Sequence, residues 1–223
     1  MTTPQLPEHF FRREDTSSDR FFYESPRFVN HIDDATIEAL TSLYRELIPP
    51  DSRVLDLMSS WVSHLPSERS YASVTGLGMN RAELDANPAL TERTVHDLNA
   101  TPTLPYADAA FDVAVCAVSV QYLTQPVEVF REVGRTLVPG GTFMVAFSHR
   151  MFPTKAVTVW HELGPQDRVR LIATYFGLAG NFGEPVFIDR SPARADPLWC
   201  VGAQRLDVDL ACHGRRDRAG RSR

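Results

Sequence analysis

The four residues Val54-Leu55-Asp56-Leu57 form a short apolar run broken by a single acid. They alternate too little for a strand with one wet face. The run reads as a strand covered on both sides, as a parallel sheet between helix layers requires. Asp56 falls near its C-terminal end. In open α/β sheets, ligands gather beyond the carboxyl ends of the strands. The acid therefore either meets a ligand or caps the turn that follows.

The rest of the chain repeats this alternation. Further strands are expected over 71–77, 93–98, 111–120 and 142–148, and a final antiparallel hairpin over 185–189 and 198–203. Helices are expected over 33–47, capped by Asp33 or Asp34 and ended by Pro49-Pro50, and over 81–87, ended by Pro88. Two more open at Pro126 and Pro165, where proline suits a first helical turn. The turn Pro139-Gly140-Gly141 is expected to end one and Gly177 the other. A turn and short helix are expected over 59–68, and a loop over 99–110. Strands alternating with helices predict an α/β fold, Rossmann-like, with a seven-stranded, mostly parallel sheet whose last strand is antiparallel.

Residues 1–22 are expected to be a mobile N-terminal arm, docking through Phe10 and Phe11. Residues 23–205 form the domain, and 206–223 an arginine-rich tail expected to be disordered. With 223 residues, 43% of them hydrophobic and 23% charged, the class is a soluble globular domain. A net charge of −5 gives no basic face for nucleic acid. No apolar run is long enough to span a membrane. The three cysteines, Cys116, Cys200 and Cys212, lack metal or redox spacing, so reduced thiols and a cytoplasmic location are expected. Lys155 is the only lysine. The histidines lack zinc spacing, and Gly76-Leu77-Gly78 lacks the third glycine of a nicotinamide fingerprint, so neither a metal nor that cofactor is expected.

Several stretches together carry a resemblance: Val54 to Leu57; Val74-Thr75-Gly76-Leu77-Gly78; His96-Asp97-Leu98; Leu104-Pro105-Tyr106 through Phe111-Asp112-Val113; and Val118 to Leu123 running on to Leu137-Val138-Pro139-Gly140-Gly141. In this order they resemble a class I S-adenosylmethionine-dependent methyltransferase of the type 11 kind, over about residues 35–205. The resemblance implies S-adenosylmethionine as cofactor and a small-molecule acceptor, and leaves the oligomeric state open. It implies that Asp56 lies near the cofactor's amino group, that Asp97 and the Leu98 amide meet the adenine, and that Ala117 and Val118 wall the site. Carboxylates only accept hydrogen bonds, which suits amino and hydroxyl donors.

The chain departs from the family twice. Three alternating glycines usually follow the first strand; here the places hold Met58, Ser60 and Val62, with Ser59 and Ser60 left to offer donors. The acid that usually receives the ribose hydroxyls is replaced by Gly78, with Asn80 or Glu83 as substitutes. Acceptor-facing groups are expected after the fourth and fifth strands, namely Gln121, Tyr122 and His149, the last as a base or as a strand-end histidine bonded to backbone. Trp61 either covers the site or anchors the following segment. Residues 152–160 are expected to cap an apolar acceptor pocket. The departures keep a second reading open: a methyltransferase-like binding or regulatory protein that has lost transfer.

Overall fold

The computed structural model describes residues 6–207. In chain order its elements are α1 (Asp19–Phe22), α2 (Asp34–Leu47), β1 (Arg53–Leu57), β2 (Ser73–Gly78), α3 (Arg81–Ala86), β3 (Glu92–Val95), β4 (Phe111–Ala117), α4 (Pro126–Thr136), β5 (Leu137–Phe147), α5 (Thr158–Glu162), α6 (Pro165–Ala179), β6 (Val186–Asp189) and β7 (Trp199–Gln204). The strands make one seven-stranded sheet in the order β3-β2-β1-β4-β5-β7-β6. β1 to β5 run parallel, and β7 pairs antiparallel with both β5 and β6. The chain order reverses between β1 and β4. A crevice opens there, at the carboxyl ends of the strands.

Alternation along the strands sorts side chains onto two faces. Leu55, Leu57, Ala114, Cys116, Phe143, Val145 and Phe147 join α4 and α6 in one core. Val54, Val113, Val115, Met144 and Ala146 join Leu40, Leu43 and Tyr44 of α2 in the other. On the first face Phe130 of α4 meets Phe143, Tyr175 and Phe176 edge-on at 4.8–5.6 Å between ring centroids. That geometry suits the aromatic quadrupoles. Cys116 and Cys200 are free and buried, as expected of core thiols.

Local chemistry explains most boundaries. Asp33 caps α2 by accepting from the Thr36 amide at 2.9 Å, and Asn80 caps α3 by accepting from the Glu83 amide at 3.1 Å. Four expectations change. No helix forms over 59–68; this stretch runs as irregular chain. α4 ends at Thr136, and Pro139-Gly140-Gly141 lies inside β5, with Gly140 at φ 77°. α6 runs past Gly177 and closes at Gly180, which takes the left-handed conformation with φ 80°.

The fourth concerns the arm, which docks through Phe10 and Phe11 as expected but is packed on the domain from Leu6 onward. Leu6, Phe10 and Phe11 lie against the first core, and Phe11 sits 6.3 Å from Tyr175. The tail from 208 onward lies outside the described residues.

Candidate functional site

The carboxyl ends of β1, β2, β3 and β4 surround one cleft of about 1120 Å³, open solvent at its mouth included. Asp56, Met58, Ser59 and Ser60 reach it from β1 and the segment after it. Gly78 and Asn80 reach it from the end of β2, Asp97 and Leu98 from beyond β3, and Ala117 and Val118 from the end of β4. These are the ten positions singled out from the sequence as cofactor-facing. Met58 and Trp61 line the cleft without filling it.

Asp56 is almost wholly buried. One carboxylate oxygen accepts from the Ser59 and Ser63 hydroxyls, each at 2.6 Å. The turn-capping alternative therefore describes its observed bonds: the acid pins the segment after β1. Burial pushes its pKa up to about 6, against the two hydroxyls. Ser59 also donates its amide to the Leu77 carbonyl at 2.8 Å, which draws the segment over the end of β2. This explains Gly78. A Cβ there would come within 2.2 Å of the Ser59 carbonyl oxygen, so no acid fits at that place.

The two substitutes named for it are engaged elsewhere. Asn80 donates to the carbonyls of Tyr23 and Glu24 at 2.9 and 3.1 Å. Glu83 accepts from the Arg27 amide at 2.7 Å and the Ser60 hydroxyl at 2.7 Å. An ionised carboxylate offers about four lone-pair sites, so Glu83 keeps acceptor capacity while Asn80 keeps little. Asp97 uses one oxygen to accept from the amides of Asn99 and Ala100, at 2.9 and 3.2 Å.

A further wall comes from the end of the arm and the residues just after it, 23–31, a placement that sequence reasoning missed. Trp61 donates its indole N–H to the Val29 carbonyl at 3.1 Å, so it anchors residues 28–29 across the mouth. Tyr23, Arg27 and His31 line the cleft with it. Beneath them Lys155, fully buried, reaches Asp15 at 3.0 Å and Asp19 at 3.1 Å. Asp19 also receives Arg13 at 2.8 Å and Asn99 at 2.8 Å. Burial raises the Asp19 pKa, but Arg13, Asn99 and Lys155 together hold it below the ordinary carboxylate value.

Residues 59–145 match the family described as a methyltransferase domain. Over that stretch the chain is similar to a methyltransferase domain.

Among solved structures, the chain is similar in fold to the [4+2]-cyclase SpnF, with a TM-score of 0.57 and 17% identity over 84% of this chain and 91% of that one. It is also similar to an S-adenosylmethionine-dependent methyltransferase from Mesorhizobium loti, with a TM-score of 0.53 and 17% identity over 75% and 98%. A third similar structure is the complex between the Haloferax volcanii Trm112 methyltransferase activator and a methyltransferase, with a TM-score of 0.56 and 17% identity over 78% and 90%. No curated protein sequence matches the chain.

The fold places the expected acceptor-facing residues unevenly. Tyr122 lines the cleft, accepts the Phe152 amide at 2.8 Å and stacks on the Phe152 ring. Burial raises its pKa, so at neutral pH it is a phenol, a donor and not a base. Gln121 lies outside the cleft; it is buried and donates to the Val118 carbonyl at 2.9 Å. His149 also lies outside it. Its half-exposed ring stands 3.6 Å from Asp196, which Arg150 meets at 2.7 Å and which receives the Asp33 amide. These two side chains brace the start of α2 rather than face an acceptor. Of the expected cap, Phe152 lines the cleft, whereas Val157 and Trp160 are buried core.

Among the described residues no group of three His, Cys, Asp or Glu side chains could hold a metal ion, and no helix is long and apolar enough to cross a membrane.

Proposed function

We propose that this domain transfers a methyl group from S-adenosylmethionine to a small-molecule acceptor. The observation that carries the reading is convergence. Ten positions chosen for contact with one nucleoside-bearing cofactor, from four separate strand ends, line a single cleft. The chemistry supplied by the cofactor is an activated methyl on sulfur. What the chain contributes is position and exclusion of water.

Asp97 has an oxygen without a hydrogen-bond partner among the described residues, suited to an amino group on adenine, and the Leu98 amide lies beside it. Asp56 holds the segment after β1, Glu83 offers a carboxylate in the cleft in place of the missing acid, and the Tyr122 phenol donates toward an acceptor. Tyr23, Tyr122 and Phe152 give the acceptor end an aromatic lining, which favours a small, partly apolar molecule.

A second reading is a binding or regulatory protein without transfer. The observation favouring it is the end of β2, where the Ser59 carbonyl occupies the place of a ribose-binding acid. The fold alone does not decide, since one similar structure is described as a [4+2]-cyclase.

Isothermal titration with S-adenosylmethionine and S-adenosylhomocysteine separates the readings. Binding of both is expected, and Asp97→Ala should weaken each by about tenfold, the worth of one charge-assisted hydrogen bond. Absence of heat with either ligand at millimolar concentration overturns the first reading. Unchanged affinity in Asp97→Ala overturns the assignment of the adenine end.

A further inference from the structure

Arg27 lies just after the arm, where the chain crosses the mouth of the cleft. Its backbone is fixed by Glu83, but its side chain is not held by an acid. The guanidinium carbon sits 4.3 Å from the Phe22 ring centroid and 5.6 Å from that of Phe152. Aromatic faces hold the charge in place without saturating its five N–H donors. Nη1 is buried and has no hydrogen-bond partner among the described residues. His64, in the segment after β1, shares this condition: its Nδ1 is buried and unpartnered.

His31 stands within reach of both. Its ring is 5.2 Å from Phe152, the same ring that Arg27 covers. Burial lowers the His31 pKa; Glu83 opposes this and Arg27 adds to it. Burial, followed by His31, lowers His64 to about 4. Both imidazoles are therefore neutral at pH 7 and offer N–H donors. The nearby acids are already engaged. Asp19 is met by Arg13 and Lys155, and Glu83 by the Arg27 amide and Ser60.

We propose that Arg27, His31 and His64 form a carboxylate-binding subsite in the cleft, with Arg27 as the charge and the two imidazoles as neutral donors. The planar guanidinium matches a carboxylate in two parallel hydrogen bonds. The carboxylate has two sources: the amino-acid end of the methyl donor, or a separate small aromatic acid. The first source rests on the methyl-transfer reading; the second does not.

The test titrates wild type, Arg27→Gln and Arg27→Lys with three probes. S-adenosylhomocysteine carries the carboxylate, 5′-methylthioadenosine is the same thioether nucleoside without it, and benzoate is a planar acid for the aromatic wall. Benzoate is titrated into both the free protein and the S-adenosylhomocysteine complex. If the donor supplies the carboxylate, Arg27→Gln weakens S-adenosylhomocysteine at least tenfold and methylthioadenosine less than twofold. If a separate aromatic acid supplies it, Arg27→Gln abolishes benzoate binding and leaves both nucleosides unchanged. In either case Arg27→Lys, which keeps the charge and loses the fork, retains part of the affinity, and it stands in should Arg27→Gln not fold.

Equal weakening of both nucleosides overturns the proposal, because Arg27 would then act only through the arm. So do affinities that no variant changes, and so does a wild-type protein that binds neither S-adenosylhomocysteine nor benzoate. A protein that binds benzoate through Arg27 but no nucleoside keeps the subsite and loses the methyl donor.

Discussion

At Met58 the backbone takes φ 58°, a torsion that glycine adopts freely and that costs other residues about 1–2 kcal/mol. This is the first of the three places where the family resemblance leads one to expect glycine. The torsion survives although the residue does not. His64 at φ 55° and Val118 at φ 46° line the same cleft, and for a β-branched residue such a torsion is an outlier. Strain of this sort collects at functional sites because the surroundings over-determine it. The sequence showed that the glycines were missing, but not that the chain would keep the left-handed turn. That follows from the Ser59 and Ser63 hydroxyls bonding to Asp56, a match that spacing alone does not reveal.

Gly78 records the same rearrangement from β2. Gly78→Ala should destabilise the fold by about 1–3 kcal/mol, the usual range for overpacking, because the Cβ meets backbone and not a yielding side chain. Urea unfolding measures it, and a loss below 0.5 kcal/mol would contradict the packing described.

Asp56 makes a pH prediction. Its raised pKa means that the folded chain holds a proton between about pH 4 and 6 that the unfolded chain has released. Its contribution is full below about pH 4 and falls by up to about 3 kcal/mol as pH rises to about 6. His64 runs oppositely: its pKa is lowered, so its contribution is present above the ordinary imidazole value and is lost as pH falls toward 4. Asp56→Asn removes the first slope and leaves the second. Its unfolding free energy should climb with pH across this window more steeply than that of wild type; parallel curves would refute the assignment.

At the scale of elements, periodicity located α2, α3, α4 and all seven strands to within a few residues. It failed where tertiary contacts override local preference. The segment 59–68, expected to hold a short helix, is instead held as irregular chain by Asp56 and by Asn87, which donates to the Ser60 carbonyl at 2.9 Å and the Ser63 hydroxyl at 2.8 Å. The arm was the larger omission. Its polar composition resembles a solvated tail, yet its charges close on partners far along the chain: Lys155 donates to the Ser17 carbonyl at 2.9 Å and pairs with Asp15 and Asp19. Such pairing has no signature in local sequence. Removing one partner of a buried pair costs about 3–5 kcal/mol, because the other charge is left stranded. In Lys155→Met the loss should fall on the arm first. Trypsin cleavage after Arg13 and Arg20 should accelerate by a hundredfold or more while the sheet stays protected. Unchanged cleavage would show that the aromatic contacts of Phe10, Phe11 and Phe22 hold the arm alone.

For the whole molecule, the kind of sheet and the end of it where a ligand sits were legible from strands alternating with helices; the strand order, with its reversal between β1 and β4, came only from the structure. Which side chains close the cleft was not legible either, since they come from the end of the arm and the residues just after it and not from the sheet. The arm also seals away the chain's single lysine, which has no exposed surface. Amine-acylating reagents should therefore leave this side chain unmodified in the native protein and modify it only when the arm lifts. Mass spectrometry of that one site, with and without a bound nucleoside, would then clock the opening of the cleft directly, with no engineered label.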